Sequence, residues 1–126
     1  MRMLLLASAG GAIGAGTRYA VTQWFAAKGW TAYPWATLAI NVTGSMLMGL
    51  TVGLLLARTA LPPELRVFLA TGILGGYTTF SAFSLEVWQL AERGETGAAF
   101  AYIAASVVLS IAGLGLGLLV ARGLVP

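Results

Sequence analysis

Residues 72–84 read Gly72-Ile73-Leu74-Gly75-Gly76-Tyr77-Thr78-Thr79-Phe80-Ser81-Ala82-Phe83-Ser84, inside a run from about 65 to 90 that is otherwise apolar enough to cross a bilayer. This is the least helix-like segment of that run. Gly75 and Gly76 each cost a helix about 1 kcal/mol relative to Ala. Thr78 and Thr79 add β-branching beside hydroxyls that compete for backbone hydrogen bonds. The pattern predicts a helix broken at mid-membrane. Such a break is tolerated only where protein or a cavity covers it, because freed carbonyls and N–H groups find no partner in lipid. Freed carbonyls coordinate hard cations, and freed N–H groups face anions. A plainer reading stays open, since Gly72 and Gly76 at four-residue spacing also suit close helix packing.

Three more apolar runs surround this one. A helix needs about 20 residues to cross the hydrocarbon core, and spans at about 3–25, 35–57, 65–90 and 98–121 nearly exhaust the chain as a single four-span domain. The breaks between them hold Lys28 to Pro34, Arg58 to Glu64 and Glu92 to Glu95, and Pro62-Pro63 favours ending one helix and starting the next. Tyr19, Trp24, Trp30, Tyr33, Trp35 and Trp88 fall where an interfacial aromatic belt is expected. The first run resembles a signal peptide in length, but three further spans follow it and no convincing cleavage site interrupts it.

Composition agrees with lipid as the solvent. Charged residues are 9% of the chain, against roughly 25% in soluble domains. With no Cys, no His and four carboxylates, all Glu, thiolate and imidazole metal sites, disulfides and most general-base chemistry drop out, so no enzyme is expected. The net charge of +3 is spread singly, unlike a nucleic-acid footprint or a polybasic lipid tether. Four spans place Arg2, Arg58, Arg66 and Arg122 on one side and Lys28 and Arg93 on the other, with Arg18 joining them if it reaches that interface. So weak a bias allows insertion both ways up, and with it an antiparallel dimer, as well as a single orientation.

Polar groups inside a bilayer need partners or a function. Asn41, Ser45, Gly49 and Gly53 recur at four-residue spacing on one face of the second span, as a packing seam or as a seam bearing an anion-donor amide. Phe80 and Phe83 share a face of the third span if helix resumes after the break. Their rings offer packing, or positive edges that attract an anion without binding it tightly. Glu86 lies one three-residue step further along. Tyr102, Ser106 and Ser110 form a hydroxyl stripe on the fourth span, either a polar track or a second seam. Arg18 follows Gly10 and Gly14 at the same spacing and either snorkels to an interface or concentrates anions at a pore mouth.

Three segments together resemble the Fluc family of bacterial fluoride channels, also called CrcB proteins. They are Gly10-Gly11-Ala12-Ile13-Gly14-Ala15-Gly16-Thr17-Arg18-Tyr19, Ala36-Thr37-Leu38-Ala39-Ile40-Asn41-Val42-Thr43-Gly44-Ser45 and, most specifically, Gly75 to Ser84. The resemblance implies an all-α membrane protein with four transmembrane helices per subunit, a break in helix three and an antiparallel dual-topology homodimer in the bacterial plasma membrane. It implies two fluoride pores per dimer and a structural sodium ion at the interface, held by backbone carbonyls of Gly75 and Thr78. Asn41 would correspond to the pore amide and Phe80 and Phe83 to pore-lining aromatics. Ser81, Tyr102, Ser106 and Ser110 would form the hydroxyl side of the path, with Glu86 toward one end and Arg18 at a vestibule. Ala82 replaces the family's usual Thr, and Ala36 its usual Gly.

Fluoride is small and strongly hydrated, so a pore must replace its water with hydrogen-bond donors that still release it. With no ATP-binding motif and no early coupling carboxylate, passive conduction exporting fluoride from the cytoplasm is expected. The alternatives are a small proton-coupled multidrug exporter, which requires a carboxylate absent from the first two spans, and a non-transporting membrane assembly subunit.

Overall fold

A computed structural model describes residues 1–57 and 62–124. Arg58, counted above in the charge balance, lies outside them. Every regular element among the described residues is helical: α1 (Arg2–Ala27), α2 (Trp35–Ala57), α3 (Pro63–Arg66), a π-helical segment Val67–Leu74, the single turn α4 (Gly75–Tyr77), α5 (Phe80–Glu92) and α6 (Thr96–Leu124). From α3 to α5 the chain forms the third of the four expected runs. Trp35–Leu55, Pro63–Glu92 and Thr96–Leu124 are each long and apolar enough to cross a membrane. At 26 residues α1 matches them in length, but four glycines between residues 10 and 16, with Arg18 and Gln23, dilute its hydropathy.

The helix ends follow local chemistry. Pro63 opens α3 at a position where its missing N–H is no loss. Gly29 and Gly94 adopt φ of 75° and 76°, the left-handed conformation that closes α1 and α5. After α1 the turn is sealed by Trp30 N–H donating to the Phe25 carbonyl at 3.1 Å. Arg2 pairs with Glu64 at 3.2 Å, joining the starts of α1 and α3. At the other end Arg93 Nη2 donates to the Ala32 carbonyl at 3.2 Å. The two contacts show that α1 and the third run lie parallel, as an up-and-down order of four spans requires.

Two helix pairs meet through glycine. Along α2 and α6, a Cβ at Gly49 would strike the Leu114 carbonyl and one at Gly117 the Met46 carbonyl. Along α1 and the third run, a Cβ at Gly10 would lie 2.5 Å from the Phe68 carbonyl and one at Gly76 2.5 Å from the Gly11 carbonyl. Gly72 and Gly76 therefore serve close packing. Phe83, Leu90, Ala99 and Tyr102 form a small buried cluster joining α5 to α6, with Leu38 of α2 against it. Outside it, Leu4, Phe100, Ile111 and Leu119 are exposed, the arrangement expected of a surface that meets lipid.

Candidate functional site

The helix breaks beyond the glycine pair. Gly75 and Gly76 stay helical, whereas Thr78 (ψ 156°) and Thr79 (φ −150°, ψ 122°) are extended. Glycine lowers helix stability without ending the helix; the threonine hydroxyls supply the alternative bonds. Thr78 Oγ1 donates to the Leu74 carbonyl at 3.0 Å. Thr79 Oγ1 accepts the Ala82 N–H at 3.2 Å and caps α5, satisfying one of the donors that a new helix leaves open.

Asn41 closes the break from α2. Thr79 N–H donates to Asn41 Oδ1 at 2.8 Å, and Asn41 Nδ2 donates to the Thr79 carbonyl at 2.9 Å. A carboxamide carries the same donor and acceptor pair as a peptide group, so it satisfies both halves of one extended residue. The second Nδ2 hydrogen remains for another acceptor. Among the described residues no turn, cap or side-chain hydrogen bond ends on the carbonyls of Gly75 or Thr78, and Gly75 is exposed at the protein surface. No group of His, Cys, Asp or Glu suited to a metal occurs among the described residues. The Gly75 and Thr78 carbonyls are neutral oxygens of the kind that a hard cation could use at such a break.

Beside the break lies a cavity of about 370 Å³ that Asn41, Ser45, Phe80, Phe83, Ser106 and Ser110 help to line. Ser106 Oγ is buried there without a hydrogen-bond partner. The Phe80 and Phe83 rings are 5.3 Å apart, but they sit differently. Phe83 is 8% exposed and packs at a tilt 5.2 Å from the Tyr102 ring, whereas Phe80 is 77% exposed. Ser81 is exposed, pairs with Thr79 at 3.3 Å and does not line this cavity.

Glu86 ties three helices together. Thr37 Oγ1 donates to its Oε1 and Tyr102 Oη to its Oε2, each at 2.7 Å, distances typical of charge-assisted bonds. Arg18 lines a second cavity of about 410 Å³ with Thr37, Thr79 and Glu86. Its Nε is buried without a partner, and among the described residues it forms no ion pair with Glu86. Thr37 is the residue that the sequence reading left out of the site. It lies four residues before Asn41, so extending the Asn41–Ser45 stripe by one turn would have found it.

The described molecule is an α-helical membrane protein whose third run is interrupted at its middle, with a side-chain amide clamping the interruption and a hydroxyl-lined cavity against it. The chain belongs to the family described as CrcB-like protein, Camphor Resistance (CrcB), whose pattern matches residues 5–118. It is 48% identical over 125 residues to a "Fluoride-specific ion channel FluC" of Rhizobium meliloti (strain 1021), covering 99% of this chain and 100% of that one. Proteins of the same name from Rhodospirillum centenum and Chelativorans sp. (strain BNC1) are 51% and 53% identical, the first over 97% of each chain and the second over 98% of this chain and 99% of the relative. The protein is a multi-pass bacterial membrane protein and not an enzyme.

Proposed function

We propose that this protein is a fluoride-specific channel that lets fluoride leave the bacterial cytoplasm passively. It works as an antiparallel dual-topology homodimer of four-span subunits, α1 included, with two pores. The observation that carries the reading is the Asn41 clamp on Thr79, because it holds open a break whose cavity presents donors to a dehydrated anion. The names of relatives about half identical along the whole chain support the same ion.

In the cavity the free Asn41 N–H, the unpartnered Ser106 hydroxyl and Ser110 replace water around fluoride. The tilted Phe80 and Phe83 rings turn positive edges toward it and bind it weakly enough for release. Phe80, exposed in one protomer, completes its surroundings against the second subunit. Thr37, Tyr102 and Glu86 continue the path, and Arg18 holds positive charge beside it. Ser81 adds a hydroxyl at the start of α5. The Gly75 and Thr78 carbonyls hold a structural sodium ion between subunits, which supplies positive charge tying the two breaks together.

The test is efflux from liposomes containing the purified protein, read with fluoride and chloride electrodes. Rapid fluoride release with little chloride release is expected. A folded protein that releases no fluoride overturns the reading.

A further inference from the structure

We infer that the ion path opens to water beyond Glu86, through a cleft walled by Thr22, Gln89 and Arg93 beneath the loop 28–34. This rests on the channel reading above. The supporting observation is adjacency. Thr79 lines both the cavity beside Phe80 and the one beside Arg18. Thr22 and Glu86 line both the latter and a third cleft of about 220 Å³, whose other walls include Thr31, Gln89 and Arg93. Three neighbouring spaces, each sharing a wall with the next, thus lie in a row from the broken helix to the surface loop.

The cleft is held open by its roof. Trp30 N–H donates to the Phe25 carbonyl at 3.1 Å, and Arg93 Nη2 donates to the Ala32 carbonyl at 3.2 Å. Arg93 Nε pairs with Glu95 at 3.2 Å, so the guanidinium is a strut more than a free charge. Glu86 and Gln89 of α5 and Arg93, the residue that caps it, follow one another at spacings of three and four, which brings them to one side of the helix. Beyond Glu86, whose oxygens already take the Thr37 and Tyr102 protons, an anion in the cleft meets the Gln89 amide and the Thr31 hydroxyl as donors. Thr22 Oγ1 donates to the Arg18 carbonyl at 2.9 Å, so it shapes the wall without supplying a proton.

The chain has no Cys, so a single introduced thiol reports alone. Gln89→Cys and Thr31→Cys are each labelled in detergent with an anionic methanethiosulfonate, checked by intact mass and reconstituted. Thr96→Cys, exposed outside the cleft, is the labelling control. Labelling at residue 89 or 31 is expected to cut fluoride efflux about tenfold relative to the same variant unlabelled, because bulk and negative charge together obstruct the mouth. Labelling at 96 leaves efflux unchanged. Full labelling at both cleft positions without loss of efflux overturns the inference, as does failure of both to label while residue 96 does. If the parent protein itself releases no fluoride, the channel reading fails, and the masses still tell whether the cleft is wet.

Discussion

Replacing Asn41 with Ala removes both bonds to Thr79, of 2.8 and 2.9 Å. A half-buried N–H and carbonyl are then left in an apolar bundle, where each unsatisfied group costs about 1–3 kcal/mol. Single side-chain hydrogen bonds in membrane proteins average only about 0.6 kcal/mol, because the unfolded chain in lipid also finds partners. Thr79 has poor access to such partners. Its N–H returns to the Gly75 carbonyl only if the helix runs straight through the break, which swings α5 away from Tyr102 and Glu86. A loss of about 2–4 kcal/mol follows for the pair of groups. Equilibrium unfolding in mixed micelles reads the stability, and hydrogen exchange reads the Thr79 amide. A loss of about 2 kcal/mol corresponds to exchange about 30-fold faster, if opening at the break governs it. Asn41→Asp keeps an acceptor for the Thr79 N–H but turns a carboxylate oxygen toward the Thr79 carbonyl, so it should destabilise too and abolish fluoride efflux. A loss below about 0.5 kcal/mol for Asn41→Ala with unchanged Thr79 protection would refute the clamp, since removing even one satisfied partner exceeds that.

Thr37→Val should lose about 1–2 kcal/mol of stability and slow fluoride efflux, since it deletes one of two charge-assisted bonds on Glu86. Tyr102→Phe should do the same, and the double variant should depart from additivity by at least about 0.5 kcal/mol because both act through one carboxylate; additive losses would mean that the two hydroxyls work independently. Gly117→Ala should destabilise by about 1–3 kcal/mol through the Met46 carbonyl, whereas Gly115→Ala, with open space at its Cβ, should be neutral or gain up to about 1 kcal/mol; thermal melts of the two side by side test the seam. If the Gly75 and Thr78 carbonyls hold sodium, raising sodium should stabilise the protein where the same concentration of potassium does not, and equal responses would remove the ion from the account.

The spans were legible because hydropathy over twenty residues is a coarse, additive signal, and α2 begins and ends where the sequence predicts, at 35 and 57. The break was legible in kind but not in place. Gly75-Gly76 drew attention through low propensity, yet those residues stay helical and the extended pair is Thr78-Thr79. Local hydroxyl bonds and a partner on another helix decide the point. The π-helical segment from Val67 to Leu74 has no counterpart in the sequence reading, since no residue pattern marks a π-helix and the packing of Gly72 on Gly10 of α1 is a tertiary fact. Asn41 was legible as important and ambiguous in role, because one sequence cannot show that its acceptor partner is the Thr79 backbone. Thr37 continues the Asn41–Ser45 spacing by one turn, but nothing in the sequence marks Glu86 as its acceptor. Phe80 and Phe83 share a spacing but not an environment, and only packing against Tyr102 separates them.

The glycine seam between α2 and α6 also bears on how the chain is made. Its two halves are α2 and α6, so the backbone contacts of Gly49 and Gly117 form only after the intervening third run has been made. Until then α2 waits in lipid, which its continuous apolar sequence permits. The less apolar α1, with Arg18 near its middle, is the helix most in need of early company, and its partner is the third run, through Gly10 and Gly76. The order of the helices along the chain thus allows one and three to pair before two closes on four. The cavity beside Asn41 gains the wall that carries Ser106 and Ser110 only when α6 joins α2.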